Sequence, residues 1–172
     1  MAGMADDLQS LLDSLAPLLV DGSPHAVAMG FQLESVTPGE AVMRAPYRDD
    51  LIGDPETRVL HGGVVTALLD HACGLAAFAG LGGKDATATL DLRLDYMRPA
   101  EPGRDVVAEA RCIRASGLFA FVNAIAHDGD PSDPVATAAA AFMVSRVSQE
   151  AAKRARKAFS EGTSPISQVP NA

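Results

Sequence analysis

The chain has 172 residues, 48% of them hydrophobic, which fits one domain with tails and leaves enough apolar surface for a packed core. A net charge of −8 supplies no bulk positive field, so neither nucleic acid nor a membrane surface is an expected partner. Aromatics reach only 5% and Trp is absent, so small residues must fill the interior, and self-association is an expected source of the missing burial.

Leu8, Leu11, Leu12, Leu15, Leu18 and Leu19 recur at helical spacing and predict an amphipathic helix over 5–20. Asp6 and Asp7 suit a helix start, Gly22 and Pro24 lie beyond its end, and Pro17 is expected to kink it or stop it early. The N-terminus lacks the basic start of a signal peptide. Cys73 and Cys112 fit no disulfide or metal spacing, so a reduced, cytoplasmic setting without a metal or cofactor is expected. A short helix over 24–29 precedes a hairpin of Phe31–Val36 and Glu40–Tyr47, turned at Thr37-Pro38-Gly39. Residues 48–60 read as a loop.

Residues 62–79 are the most apolar stretch and predict a helix whose only polar positions are Thr66, Asp70 and His71. An Asp at the centre of a membrane span costs roughly 2.5–3.5 kcal/mol, so a sheet-wrapped core helix is the better reading. Residues 87–97 alternate, with Thr89, Asp91, Arg93 and Asp95 on one face and Leu90, Leu92, Leu94 and Tyr96 on the other. Strands follow over 104–114, 118–127 and 133–146. The last is assigned from its place in the pattern, because Ala136–Ala141 has poor strand propensity. Residues 148–160 suggest a charged helix and 161–172 a disordered tail.

These elements imply an α+β fold, an antiparallel sheet around one apolar helix: the hot-dog architecture. Residues 1–22 form an N-terminal helix, 23–147 the domain, and 148–172 a C-terminal helix and tail.

Asp70 is the sharpest anomaly, a carboxylate about two turns into an apolar helix, and such a group is a candidate nucleophile or general base. At the helix start stand His61-Gly62-Gly63, where unpaired first-turn amides and the helix dipole favour an oxyanion. Gly62 and Asp70 are separated by roughly 12 Å of helix rise. They can act on one carbonyl only if a two-fold axis brings Gly62 of one copy to Asp70 of another, which gives two sites per homodimer.

The run Leu60 to Asp70 resembles the His-Gly-Gly…Asp signature of the PaaI-like acyl-CoA thioesterases. Thr89 to Ala100, with its Tyr-x-x-Pro ending, resembles the strand that follows the helix in that family, and the likeness spans about residues 28–147. The resemblance implies that Gly62 polarises a thioester carbonyl while the partner copy's carboxylate, the residue matching Asp70, attacks it or activates a water. It implies that Thr89 helps orient that water. Related enzymes carry an Asn shortly before the His-Gly-Gly; here Asp54 is the nearest counterpart. His61 is expected to set the turn or touch substrate, Gly63 to approach substrate closely, and Arg93, Arg98 or Arg114 to meet CoA phosphates. The expected substrate is a small to medium acyl-CoA, and the expected assembly a homodimer that can pair into a homotetramer. Competing readings are a hydratase or dehydratase, disfavoured because His71 directly follows Asp70 on the helix, and a non-catalytic acyl-CoA-binding module.

Overall fold

Alternation builds the sheet. In the strand Phe119–His127, Ala120, Val122, Ala124 and Ala126 turn inward and are buried, while Phe119, Phe121 and Asn123 turn outward and are exposed. The structure, a computed structural model, describes residues 2–145, with side chains from Asp6 to Val144. The expected helix over 148–160 and the tail after it lie outside the described residues.

In chain order come α1 (Ala2–Asp21), α2 (Pro24–Met29), β1 (Gln32–Thr37), β2 (Glu40–Ala45), α3 (Gly62–Gly80), β3 (Ala86–Tyr96), β4 (Val106–Ala115), β5 (Phe119–His127) and β6 (Ala136–Ser145). Helix α1 runs through Pro17 to Asp21, so the expected early stop does not occur. Its buried face is Leu12, Ala16 and Val20, and packing of that stripe outweighs the single backbone bond that proline removes.

The six strands form one antiparallel sheet in the order β1-β2-β4-β5-β6-β3. The Ala-rich β6 is a strand because β5 and β3 bond it on both sides, which overrides its weak propensity. Helix α3 lies against the sheet, with Leu68, Leu69, Ala72, Cys73, Ala76 and Ala77 fully buried. Its length and mean hydropathy of 1.4 would let it cross a membrane, yet here it is the core of a sheet-wrapped domain.

Strand β3 departs from simple alternation. Its register against β6 slips between Thr89, opposite Phe142, and Asp91, opposite Ala141. This bulge inserts one residue and flips the side-chain parity. Thr89 therefore bonds α3 from the same face as Tyr96, although seven residues separate them. The expectation that Thr89 shares a face with Asp91, Arg93 and Asp95 is thereby corrected. Leu92 and Leu94 pack on the core, whereas Leu90, beside the slip, is 54% exposed.

Candidate active site

The site begins with the cap of α3. His61 sits in extended backbone as the N-cap, and its Nδ1 accepts the Gly63 N–H at 2.9 Å. Its carbonyl accepts the Val64 N–H at 2.9 Å, and its own N–H donates to the Leu51 carbonyl at 2.9 Å. A ring nitrogen that accepts is unprotonated, so in this arrangement the imidazole proton of a neutral His61 is on Nε2. The tightness demands glycine on both sides. A Cβ at Gly63 would stand 2.8 Å from His61 Nδ1, and one at Gly53 would stand 2.8 Å from His61 Cα.

This cap divides the first-turn amides. Gly63 and Val64 have partners, whereas the Gly62 N–H has none among the described residues. The free amide is at an exposed position at the positive end of a 19-residue helix. An acceptor oxygen placed there gains a hydrogen bond and the helix-end potential. Gly63, expected to approach substrate closely, is exposed and donates its amide to the cap. His61 thus acts on the turn.

The Gly62 carbonyl is bound as firmly as its amide is free. Tyr96 donates its hydroxyl to it at 2.6 Å, Thr66 Oγ1 lies 3.1 Å from it, and the two hydroxyls are 2.7 Å apart. Sequence reasoning placed Tyr96 on an apolar strand face and in the Tyr-x-x-Pro ending, without a role at the site. A phenol in an otherwise leucine row was the available signal.

Asp70 lies on the same helix and is half-buried. Thr89 Oγ1 donates to its Oδ1 at 2.9 Å, the only side-chain bond the carboxylate makes among the described residues. Thr89 and Asp70, paired only by inference from sequence, are therefore in contact, and the β3 bulge is what aims Thr89 there. Cys73, one turn on, is fully buried. Burial first, and the Asp70 charge second, push its thiol up to about 12, which leaves it inert as a nucleophile. Burial also lowers the His71 pKa, and the Asp70 charge opposes that shift.

The remaining expected site residues make their bonds away from Asp70, although Arg98 lines the groove beside Gly62. Asp54 is exposed and serves its own loop: it accepts from Thr57 Oγ1 at 2.6 Å and from the Glu56 N–H at 3.0 Å. Those donors hold its carboxyl below the usual carboxylate range. Arg98 is engaged rather than free, because it donates to both carboxylate oxygens of Asp128, at 2.8 and 2.7 Å, and pairs with Asp133. A guanidinium so occupied braces the connection between β5 and β6. Arg93 is largely exposed and pairs with Asp95 at 3.1 Å, and Arg114 is exposed on β4.

Residues 58–135 match the family model described as the thioesterase superfamily. A Halobacterium salinarum protein named as an esterase is 31% identical over 151 residues, covering 83% of this chain and 95% of that one. The chain belongs to the thioesterase superfamily. Thioester hydrolysis is accordingly its class of activity. A second relative, the medium/long-chain acyl-CoA thioesterase YigI of Salmonella typhimurium, is 27% identical and covers 79% of this chain and 95% of its own. Among solved structures, the phenylacetic acid degradation protein PaaI of Thermus thermophilus, in a mutant form, is 28% identical with a TM-score of 0.61, covering 70% of this chain and 98% of that one. The α+β hot-dog expectation therefore holds at the level of both fold and superfamily.

Proposed function

We propose that this thioesterase hydrolyses small to medium acyl-CoA thioesters at two equivalent sites, each shared between two copies of the chain. The observation that carries this reading is the division of labour along α3. An unpaired and exposed first-turn amide, at Gly62, and a carboxylate held by a hydroxyl, at Asp70, share one helix but are roughly 12 Å apart in rise. One carbonyl reaches both only across a two-fold axis.

In this reading the Gly62 N–H of one copy bonds the thioester carbonyl, and gains strength as that oxygen becomes negative. Asp70 of the other copy attacks the carbonyl carbon, or removes the proton of a water that does. In the first route CoA thiolate leaves to give an acyl–Asp70 anhydride, which a water then cleaves. Both routes thus consume one water and end with the C–S bond broken, the CoA thiol released and the free acid formed. Thr89 fixes one carboxylate oxygen and leaves the other for the reacting partner. A groove of about 390 Å³, lined by Val59, Leu60, Val65, Met97 and Ala100, adjoins Gly62 and suits the acyl group. The name of the Salmonella relative supports an acyl-CoA substrate and meets the proposed size range at medium length. The hydratase alternative is disfavoured because His71 directly follows Asp70 and leaves the helix about 100° away from it.

The test mixes two inactive variants. Asp70→Asn removes the carboxylate charge. Gly62→Pro removes the free amide and adds a Cβ in ordinary contact with the Tyr96 hydroxyl at 3.4 Å; proline is tolerated at the first helical position, and His61 before it already has ψ 133°. Each alone is expected to abolish release of CoA thiol. Random pairing of the two makes half the dimers mixed, each with one intact site, so about one quarter of native turnover returns. No recovery despite proven subunit exchange would sink the shared site. Full turnover by Gly62→Pro alone would sink the role of its amide.

A further inference from the structure

We infer that Tyr96 is a positioning residue for the reaction: its hydroxyl fixes the Gly62–Gly63 peptide plane, one of the two planes that meet at Gly62 and together aim its N–H. The inference rests on the reading of Gly62 as the oxyanion donor and adds the group that holds it in place.

Two adjacent glycines let an acceptor approach closely, but they also leave the backbone free to swing. A swinging amide stabilises a developing oxyanion poorly, because the donor must already point at the place where charge appears. The Gly62–Gly63 peptide is clamped at both ends. On one side the Gly63 N–H is bound by His61 Nδ1 at 2.9 Å; on the other the Gly62 carbonyl is bound by Tyr96 at 2.6 Å. The Gly62 N–H lies in the preceding peptide, whose His61 carbonyl accepts the Val64 N–H at 2.9 Å; with both planes held, the torsions of Gly62 and the direction of its N–H are set.

Thr66 supports the same carbonyl at one remove. Three oxygens stand mutually within hydrogen-bonding distance, yet only two of them carry a proton. If Tyr96 donates to the carbonyl, Thr66 donates either to the carbonyl or to the tyrosine oxygen, and both choices keep the phenol in place. Tyr96 comes from β3, the strand that also delivers Thr89 to Asp70. One strand thus steadies the amide end and the carboxylate end of α3. Tyr96 does not need to touch substrate to matter, since its hydroxyl is already committed to the backbone.

The decisive variant is Tyr96→Phe, which keeps the ring and removes only the hydroxyl. Steady-state hydrolysis of an acyl-CoA panel should show kcat reduced about tenfold with KM within about twofold, because a misaimed donor is felt in the transition state more than in binding. The thermal midpoint and the oligomeric state should stay near those of the native chain. Thr66→Val should lower kcat in the same way but less. Native kcat in Tyr96→Phe, with Gly62→Pro inactive, would overturn the role of Tyr96 and leave the reading of Gly62 standing. Turnover retained by Gly62→Pro would remove that reading and this inference together. A joint loss of kcat, KM and thermal midpoint in Tyr96→Phe would mark general loosening and also overturn the proposal.

Discussion

The two edges of the sheet are finished in opposite ways. At the β1 edge the chain covers itself: α1 packs alongside, and Gln9 Nε2 donates to the Val36 carbonyl at 2.8 Å. Glu34 and Arg44 add an ion pair near that edge. The β3 edge is an 11-residue strand with no neighbour on its outer side among the described residues, and Leu90, Tyr96 and Met97 at or just beyond it are all more than half exposed. Long bare edges invite pairing and are usually blunted. Both edge strands carry a bulge, so irregularity alone does not separate them. What separates them is chemistry: Thr89 and Tyr96 are on β3, and Asp70 and Gly62 are their bonding partners, whereas β1 bonds none of these groups. The uncovered edge is the one beside the proposed catalytic groups, as the proposed site completed by a second copy requires.

The strongest way to break this contrast is to charge each edge in turn. Leu90→Lys on β3 should convert the proposed dimer to monomer by analytical ultracentrifugation, with hydrolysis falling by on the order of a hundredfold or more as the shared donor is lost. Ser35→Lys on β1 should change neither mass nor turnover. A monomeric native protein with full activity would defeat the comparison, and so would equal effects of the two substitutions.

Much of this was legible in the sequence, for identifiable reasons. Leucine spacing gave α1, and the continuous apolar run gave α3, because each pattern reports local periodicity. Asp70 stood out because a carboxylate is out of place in such a helix. The bulge in β3 was not legible, since a one-residue slip leaves no mark in an alternating string, and Thr89 was accordingly assigned to the wrong face. The occupancy of Arg98 was also hidden: its partners Asp128 and Asp133 are about 30 residues away, in a loop whose position depends on the whole sheet. Asp54 matched a family position by nearness alone, and its real partners are its own neighbours, Glu56 and Thr57.

Arg98 sharpens the contrast, because it shows that the bare edge is nonetheless anchored within its own chain. It follows β3 and grips Asp128 and Asp133 in the connection between β5 and β6, while Asp128 also accepts the Glu101 N–H at 2.7 Å. Asp128 is 8% exposed, and the Arg98 bonds hold its carboxyl far below the usual carboxylate range. A depressed value means that the folded state favours the ionised form. The stabilisation is therefore complete above the ordinary carboxylate value of about 3.9 and fades as pH falls toward the folded value. Asp128→Ala should cost about 3 kcal/mol at neutral pH, measured by urea unfolding, because it strands a partly buried guanidinium. Its stability should also fall less steeply than that of the native chain below about pH 4. Equal acid sensitivity in the two proteins would show that the pair does not anchor this end of β3.

The smallest effect tests the closed edge. Gln9 bridges α1 to β1 through the Val36 carbonyl and is steadied by Asp13 Oδ1 at 2.7 Å. Gln9→Ala leaves that carbonyl to water, and the loss should be about 1 kcal/mol, the usual net worth of one neutral hydrogen bond. Amide exchange should quicken in β1 and α1 and stay unchanged in β3 and α3, because covering one edge does nothing for groups at the other. Turnover and assembly should match the native chain. If Gln9→Ala altered kcat or the oligomeric state, the β1 edge would be coupled to the active site, and the asymmetry between the edges would no longer explain where the catalytic groups lie.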